Sequence, residues 1–541
     1  MRPKTIFIRN FLITVLTCFA GSTVSSQEPS SANQPKDYLT PAFHAGRRLA
    51  LRDLMPSNSV AVIFSYPEEI FSKDVNYVYH PNPDLYYFSG YKEPNSVLLI
   101  FKETQSDSEG SYNELFFVQH RDPRAEQWTG SRLGVDGVKS KLGFKRVYNS
   151  EDFANFSIDL KKFNIIYDAL QDTSGNSDSG SIRWLVANFV RGSGVKPIDK
   201  SLSADLNTIS RYGTVSNLPR IMTRIKPRLN TDAYKNDSLI QELLMNPDST
   251  TLEDVRKKYD AINTGTPGFN KYTNQLREIK TTEELVLLKK SVEISGIAHR
   301  EAMKGVKPQM SERELEGIML YVHKKYGAED EGYPPIVGAG ANGCILHYEE
   351  NNALHVENQL VLMDVGAEYH GYSADVTRTF PANGKFTDQQ KAIYEIVYNA
   401  QEEVFKLCHE GSSFDSLQNK SKQVIAAGLI KLGIIKDPKD VLTYYPHGVS
   451  HHLGLDVHDK GNYKTLEENM VITVEPGIYI PSGSDCDKKW WNIGVRIEDD
   501  VLIQKNNFVL LSVSAPRKWQ DVEAAITEKS FFETAVFPEI K

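Results

Sequence analysis

The stretch VLMDVGAEYHGYSADVTRTF, residues 361–380, decides the fold of the second half of the chain. Two apolar, β-branched runs flank a His-Gly pair at 370–371, which predicts an antiparallel hairpin with a two-residue loop. In that register Asp364 pairs with Thr377, and Asp375 lies on the same face, with its Cα about 7–8 Å from that of Asp364. Carboxylates at this separation can converge on a pair of metal ions. The alternative is two acids on a solvent-exposed hairpin.

A cluster of histidines lies downstream, in YPHGVSHHLGLDVHD. His447, His451, His452 and His458 are four of only 13 histidines in the chain. Imidazole is a good ligand for zinc, manganese, iron and cobalt. Any one of these residues alone would more often be structural, but four close together, beside glycines, favour a site.

Two glutamates occur within apolar, β-branched strands: Glu475 in MVITVEPGIY and Glu498 in IGVRIEDDVLI. Such strand positions are usually buried, and a buried carboxylate is costly unless it is paired or binds a metal. Arg496 lies two residues before Glu498, hence on the same face of the strand. A simple ion pair between these two residues is the alternative interpretation.

Together these motifs supply carboxylate and imidazole ligands without a thiolate. That set suits two divalent ions, Mn²⁺ first, with Co²⁺ or Zn²⁺ also possible. The residues alone therefore predict a dinuclear metal-dependent hydrolase. The glycine-rich stretch at 338–343 matches G-x-G-x-x-G, but the CILHYEENN that follows does not open a helix. We therefore expect a loop before His347 rather than a dinucleotide site.

The remainder of the chain predicts several distinct segments. Short apolar runs at 59–66, 95–101 and 113–120 predict strands, and 41–55 and 281–304 have helical spacing. The predicted organisation is a signal peptide (1–26), a tether (27–37), an α/β domain (38–205), a helical linker or insertion (206–275), a catalytic domain (276–515) and a C-terminal tail (516–541).

Composition limits the function classes. The 541 residues are 40% hydrophobic and 24% charged, which is typical of a globular protein rather than a disordered or multi-span membrane protein. The formal net charge of −8 argues against non-specific nucleic-acid binding, which needs a basic face. We therefore expect no nucleic-acid partner.

The N-terminus has the three parts of a secretory signal peptide: basic residues, the apolar run FLITVLTCFA and a small-residue region. The run is about half of the roughly 20 residues that span a bilayer. We expect export to a bacterial periplasm or the medium. The V-L-T before Cys18 matches a lipoprotein signal poorly, so no stable membrane anchor is expected. Removal of the leader would leave three cysteines, which is not a disulfide framework.

These motifs resemble the metallopeptidase family with the pita-bread fold, which includes aminopeptidase P, prolidase and methionine aminopeptidase. The resemblance covers most of residues 38–520. NPDLYYFSGYKEPNSVLL and HRDPRAEQWTGSRLG in the N-terminal half are most similar to aminopeptidase P. The implied fold class is α/β (α+β): a mixed-sheet N-terminal domain followed by two pseudo-symmetric α/β halves that form a curved antiparallel sheet. The 206–275 segment is longer than the linker that the resemblance implies.

The resemblance also implies the roles of the site residues. The implied metal ligands are Asp364, Asp375, His451, Glu475 and Glu498, with Asp375 and Glu498 bridging two ions. Glu475 would carry a proton from the attacking water to the leaving nitrogen. His347 and His458 would stabilise the oxyanion or the peptide carbonyl. His447 and Arg496 match the accessory histidine and the substrate-site arginine.

The resemblance implies an aminopeptidase that releases the residue before a proline at the second position, and a homodimer or homotetramer. Two alternatives remain. A prolidase, which cleaves Xaa-Pro dipeptides, would share every ligand. A non-catalytic peptide-binding protein of the same fold would be expected to have lost ligands.

Overall fold

The computed structural model describes residues 35–170, 177–196, 199–213 and 218–534. The described residues from Leu39 onward form one compact unit. The predicted signal peptide and most of the predicted tether lie outside the described residues. Within the described part, no helix combines the length and the apolar character needed to cross a membrane.

The N-terminal domain surrounds a five-stranded mixed sheet. Its elements are α1 (Pro41–Leu54), β1 (Ser59–Phe64), β2 (Ile70–Ser72), β3 (Val75–Asn76), α2 (Pro83–Ser89), β4 (Val97–Asp107), β5 (Gly110–Val118), α3 (Pro123–Thr129), α4 (Gly134–Leu142), β6 (Val147–Asn149), β7 (Asn164–Tyr167) and α5 (Ile182–Ser193). The strand order is β6-β5-β4-β1-β7. Strands β1, β4 and β5 pair antiparallel, whereas β6 and β7 join the edges in parallel.

Among the described residues, six α-helices follow: α6 (Lys200–Tyr212), α7 (Leu218–Ile225), α8 (Asp232–Lys235), α9 (Ser238–Met245), α10 (Ser249–Asp260) and α11 (Gly265–Glu278). The first five share an apolar cluster that includes Leu206, Ile240 and Val255. Helix α11 packs differently, because Phe269 and Tyr272 belong to the core that joins the two large domains.

The second large domain combines antiparallel strands with helices. It contains α12 (Thr282–Gly305), α13 (Glu312–Lys325), β8 (Asp330–Glu331), β9 (Ile336–Ala339), β10 (Leu360–Asp364), β11 (Ala367–Tyr369), β12 (Tyr372–Ser373), β13 (Thr377–Pro381), α14 (Asp388–Phe405), α15 (Phe414–Lys431), α16 (Val441–Tyr444), β14 (Val471–Val474), β15 (Gly477–Ile480), β16 (Ile493–Arg496), β17 (Asp499–Ile503), β18 (Phe508–Leu510) and α17 (Trp519–Ile526). The strands pair in the orders β13-β10-β9, β12-β11-β8, β14-β17-β18 and β15-β16.

The predicted helix at 281–304 is confirmed. Thr281 and Glu284 form a capping box, in which each side chain accepts a hydrogen bond from the other residue's backbone N–H. This reciprocal pairing satisfies two donors that a helix N-terminus otherwise leaves unpaired.

The predicted hairpin register is confirmed as well. Asp364 pairs with Thr377 in the β10–β13 ladder, and Tyr369 pairs with Tyr372 across the turn. Both turn residues have positive φ, 51° at His370 and 87° at Gly371, as a two-residue hairpin turn of the primed type requires.

The glycine-rich stretch at 338–343 does not open an α-helix. A short 3₁₀ turn, Asn342–Cys344, follows β9, and the chain then enters the loop that carries His347. The expectation of a loop is confirmed, and a dinucleotide fingerprint is excluded because it needs a helix at this point.

A buried ion pair joins the hairpin to the second half of the domain. Arg378 on β13 and Asp499 on β17 are both fully buried, with Nη2 2.6 Å from Oδ1. Arg378 Nη1 also donates to the carbonyl oxygen of Glu498, at 2.6 Å. Arg378 therefore fixes the backbone at Glu498 relative to the strand that follows Asp375.

Candidate metal centre

Five side chains from five points of the sheet framework converge on one cavity of about 360 Å³. Asp364 ends β10, Asp375 lies between β12 and β13, and Glu498 lies between β16 and β17. His451 lies in the segment before β14, and Glu475 comes directly after β14. Asp375, His451 and Glu498 each offer a ligand atom within 4.8 Å of the other two. The cavity thus brings together all five predicted metal ligands.

Tyr333 links the two hairpin aspartates. Its hydroxyl is 2.5 Å from Asp364 Oδ1 and 2.8 Å from Asp375 Oδ1. Burial beside these carboxylates raises the pKa of the Tyr333 phenol well above its usual value. Tyr333 therefore remains a neutral hydrogen-bonding group. It was not among the predicted site residues, and no motif around it in the sequence indicates this position.

Arg496 binds several groups behind the carboxylates. Its Nη2 donates to Asp364 Oδ2 at 2.6 Å, its Nη1 to the Tyr479 hydroxyl at 2.8 Å and its Nε to Thr377 Oγ1 at 3.0 Å. Thr377 in turn donates to Glu498 Oε2 at 2.6 Å. Arg496 Nε is 4.0 Å from Glu498 Oε2. The closest ion pair of Arg496 is therefore with Asp364 and not, as in the simpler interpretation, with Glu498.

His451 presents its Nε2 atom to the carboxylates. Nε2 is 3.3 Å from Asp375 Oδ2 and 3.6 Å from Glu475 Oε1. Nδ1 lies 3.0 Å from the His452 carbonyl oxygen, which orients the ring. Burial opposes the charged form, but hydrogen bonding to Asp375 and the charge of Glu475 raise the pKa of His451 to about 9. His452 packs instead against the rings of Phe414 and Tyr463.

The three accessory histidines, His347, His447 and His458, line the same cavity. His447 Nε2 is 2.9 Å from the Tyr479 hydroxyl, and its Nδ1 is 3.5 Å from Glu475 Oε2. The His458 ring packs edge-on against His451, with centroids 4.3 Å apart. Burial lowers the pKa of His447 to about 3 and that of His458 to about 4, so both are neutral at physiological pH.

When all four carboxylates are ionised, their negative charge exceeds what Arg496 and His451 offset. Burial, with the charge of Asp375 added, raises the pKa of Glu475 to about 8 despite the opposing charge of His451. Burial and neighbouring carboxylates also raise the pKa values of Asp375 and Glu498. Oxygen-rich ligands with one imidazole and surplus negative charge fit divalent metal ions.

The antiparallel fold and this ligand set define a metal-dependent hydrolase. Residues 286–505 match metallopeptidase family M24, and residues 44–165 match the aminopeptidase P N-terminal domain. The chain belongs to metallopeptidase family M24 and carries the N-terminal domain of its aminopeptidase P members. It is a metalloaminopeptidase with a mixed-sheet N-terminal domain and a pita-bread catalytic domain, as the sequence predicts.

Individual relatives align over nearly the whole chain. The Xaa-Pro aminopeptidase of Escherichia coli (strain K12) is 34% identical over 490 residues, covering 88% of this chain and 96% of the relative. The structure of E. coli aminopeptidase P with the inhibitor Pro-Leu superposes with a TM-score of 0.69 at 31% identity, covering 90% of this chain and 98% of that chain. A zinc-substituted form of that enzyme in complex with product gives the same TM-score.

Metal binding should depend on pH in a direction that the site specifies. The pKa values of Glu475 and His451 are raised in the metal-free fold, so their contributions to stability are lost as pH rises through about 8 and about 9. Metal ligands must be deprotonated, so added metal should offset this loss. We expect the Tm of chelator-treated protein to fall from pH 6.5 to pH 9, and the increase in Tm on adding Mn²⁺ to grow over the same range.

The measurement is differential scanning calorimetry of stripped and Mn²⁺-loaded protein across that pH range. Thermal unfolding of the variant Asp364→Asn/Glu498→Gln provides the control, since it should respond weakly to Mn²⁺. An Mn²⁺-induced increase in Tm that shrinks as pH rises would contradict the assigned ligand set.

Proposed function

We propose that this enzyme is a dinuclear Xaa-Pro aminopeptidase, which releases the first residue of peptides with proline at the second position. The observation that carries the proposal is the convergence of Asp364, Asp375, His451, Glu475 and Glu498 on one cavity. The match of residues 44–165 to the aminopeptidase P N-terminal domain supports the substrate class. A proline nitrogen forms a tertiary amide without a donor, so a dedicated pocket is needed for this bond.

The five ligands would hold two divalent ions, with Mn²⁺ as our first expectation and Co²⁺ or Zn²⁺ as possible substitutes. When bound, the ions would supply hydroxide at neutral pH and polarise the scissile carbonyl. Tyr333 and Arg496 hold Asp364 in place, and Thr377 holds Glu498. The ligand carboxylates are therefore oriented by protein hydrogen bonds before any substrate arrives.

Glu475 is the proposed proton carrier. Glu475 Oε1 lies 3.6 Å from Nε2 of His451, the atom that His451 presents to the cavity. The pKa of Glu475 is raised to about 8, which suits a group that accepts and releases a proton near neutral pH. In the proposed reaction it takes a proton from the attacking water and delivers it to the nitrogen of the departing proline.

His347 and His458 are the proposed donors to the oxyanion or to the peptide carbonyl, since both line the cavity. The proposed role of Arg496 is to position Asp364 and Tyr479 through its hydrogen bonds to both side chains. His447 contacts both Tyr479 and Glu475, so it would orient the proton carrier.

Activity on a tripeptide separates the proposed function from prolidase. We expect release of the first residue from an Xaa-Pro-Xaa tripeptide and from longer peptides, because the N-terminal domain match is to aminopeptidase P. Product analysis by mass spectrometry, with the Xaa-Pro dipeptide and an Xaa-Ala-Xaa tripeptide as comparison substrates, checks this. Cleavage of the dipeptide alone would assign the enzyme to prolidase, and no cleavage by the metal-loaded protein would favour a peptide-binding role.

Two substitutions separate the proposed proton carrier from its neighbour. Glu475→Gln preserves shape but removes a ligand charge and the proton acceptor, so we expect kcat to fall by about 10²–10⁴-fold or more. His447→Ala removes a hydrogen-bonding partner, and we expect a fall of about 10–100-fold. The assay is kcat with metal content measured in parallel by elemental analysis, and His451→Ala serves as the reference for a lost ligand.

Retention of near wild-type kcat by Glu475→Gln with two ions bound would refute the role given to Glu475. Loss of metal from His447→Ala as complete as from His451→Ala would make His447 a ligand and reverse the choice between these two histidines.

We further infer that the mature enzyme is exported and assembles as a dimer or tetramer. The export proposal is supported by the three-part signal at residues 1–26. N-terminal sequencing of protein from its native host should begin near Gln27, and a sequence that starts at Met1 would contradict export by this signal.

A further inference from the structure

Glu312 is a buried glutamate outside the metal cavity, and its carboxylate accepts four hydrogen bonds. It is the first residue of α13 and is fully buried. Oε1 accepts the Ala339 N–H at 2.8 Å and the Asn342 amide at 3.0 Å. Oε2 accepts the Tyr348 hydroxyl at 3.0 Å and the Ala353 N–H at 2.9 Å.

All four donors belong to a single segment, residues 339–353, which we call the His347 loop. Ala339 and Ala353 are its two ends, so one carboxylate closes the loop. Tyr348, the residue after His347, is buried and bonded to the carboxylate, whereas His347 is exposed to the cavity. The opposite orientations of these neighbours mean that anchoring Tyr348 also sets the direction of His347.

Other contacts support the same attachment. One turn further along α13, Glu316 accepts a hydrogen bond from the Asn351 amide at 3.0 Å. On the other side, a Cβ added at Gly494 would lie 2.1 Å from the Gly343 carbonyl oxygen, so the loop packs directly against β16. The loop is thus held between helix α13 and the strand that ends in Arg496.

We propose that Glu312 is a positioning residue for catalysis, which holds His347 at the substrate side of the cavity by closing the His347 loop. This inference rests on the proposed function, since it assumes that His347 contacts the substrate. The competing interpretation is that Glu312 only stabilises the N-terminus of α13, where a negative charge is favourable.

The test is a double-mutant cycle with Glu312→Gln and His347→Ala. The carboxamide replaces one acceptor oxygen with a donor, so two of the four hydrogen bonds should be lost. We expect kcat/KM on an Xaa-Pro-Xaa tripeptide to fall about 10–100-fold, as when the partner that orients a functional histidine is removed. In the His347→Ala background, Glu312→Gln should cause little further loss, because the residue acts through His347.

Glu284→Gln is the matched control. Glu284 is likewise a buried glutamate in the first turn of a helix, and it accepts the Thr281 N–H and the Tyr372 hydroxyl without contacting the His347 loop. Its replacement should lower stability comparably but change kcat/KM much less. If Glu312→Gln folds poorly, Tyr348→Phe tests the same contact by removing the hydroxyl that donates to Glu312. Tyr348→Phe should lower kcat/KM in the wild-type background but cause little further loss in the His347→Ala background.

Amide hydrogen exchange, measured by mass spectrometry, tests the closure of the His347 loop independently of enzymatic activity. Glu312→Gln should accelerate amide exchange in residues 339–353, and Glu284→Gln should not. An inactive wild-type enzyme would overturn the proposed function while leaving this exchange result to test the loop closure. Unchanged exchange in Glu312→Gln, or losses in kcat/KM that add fully in the double mutant, would overturn the role of Glu312.

Discussion

The mutual repulsion of buried carboxylates is the constraint on which the rest of this structure depends. Asp364, Asp375, Glu475 and Glu498 share one cavity, and a carboxylate removed from water is unstable unless it is paired, protonated or bound to metal. Arg496 offsets part of this charge through Asp364, and His451 offsets part through Asp375 and Glu475. The remaining negative charge favours the binding of divalent cations, and its cost in the metal-free fold explains why metal and stability should be linked.

The strands supply the rigidity that such a site needs. Asp364 lies within the paired β10–β13 ladder, and Glu475 and Glu498 both adjoin the end of the β14–β17 ladder at which Val474 pairs with Asp499. Arg378 then joins the two halves, because it pairs with Asp499 and also holds the Glu498 carbonyl. Breaking a fully buried pair of this kind typically costs about 3–5 kcal/mol, since one charge is left without its partner. The ligand geometry is therefore set largely by the backbone.

The sequence was most informative where residue type and local spacing determine the geometry. The hairpin register followed from the two-residue turn at 370–371, and with it the placement of Asp364 beside Asp375. Burial of the two glutamates could be predicted from their apolar, β-branched strands; Glu498 is buried as predicted, whereas the Glu475 side chain is 17% exposed. Tyr333, Thr377 and Glu312 could not be identified in this way. Each acts through a contact with residues 27 to 121 positions away, and such contacts leave no periodic pattern.

His347 and His458, the two proposed oxyanion donors, lie outside the strands of the sheets, so side-chain contacts must hold the segments that carry them. The His347 loop is attached to the carboxylate of Glu312. On the other side, Asp459, next to His458, is buried and paired with Arg277 from α11 and with Lys280. Arg277 also binds Asp84 of the N-terminal domain, at 2.9 Å. Burial lowers the pKa of His458 to about 4, so this neutral ring must be held by its neighbours rather than by its own charge. Glu312 supports the segment that carries His347, and the Arg277–Asp459 pair supports the segment that carries His458. Through Arg277, helix α11 and Asp84 of the N-terminal domain also contribute to this support.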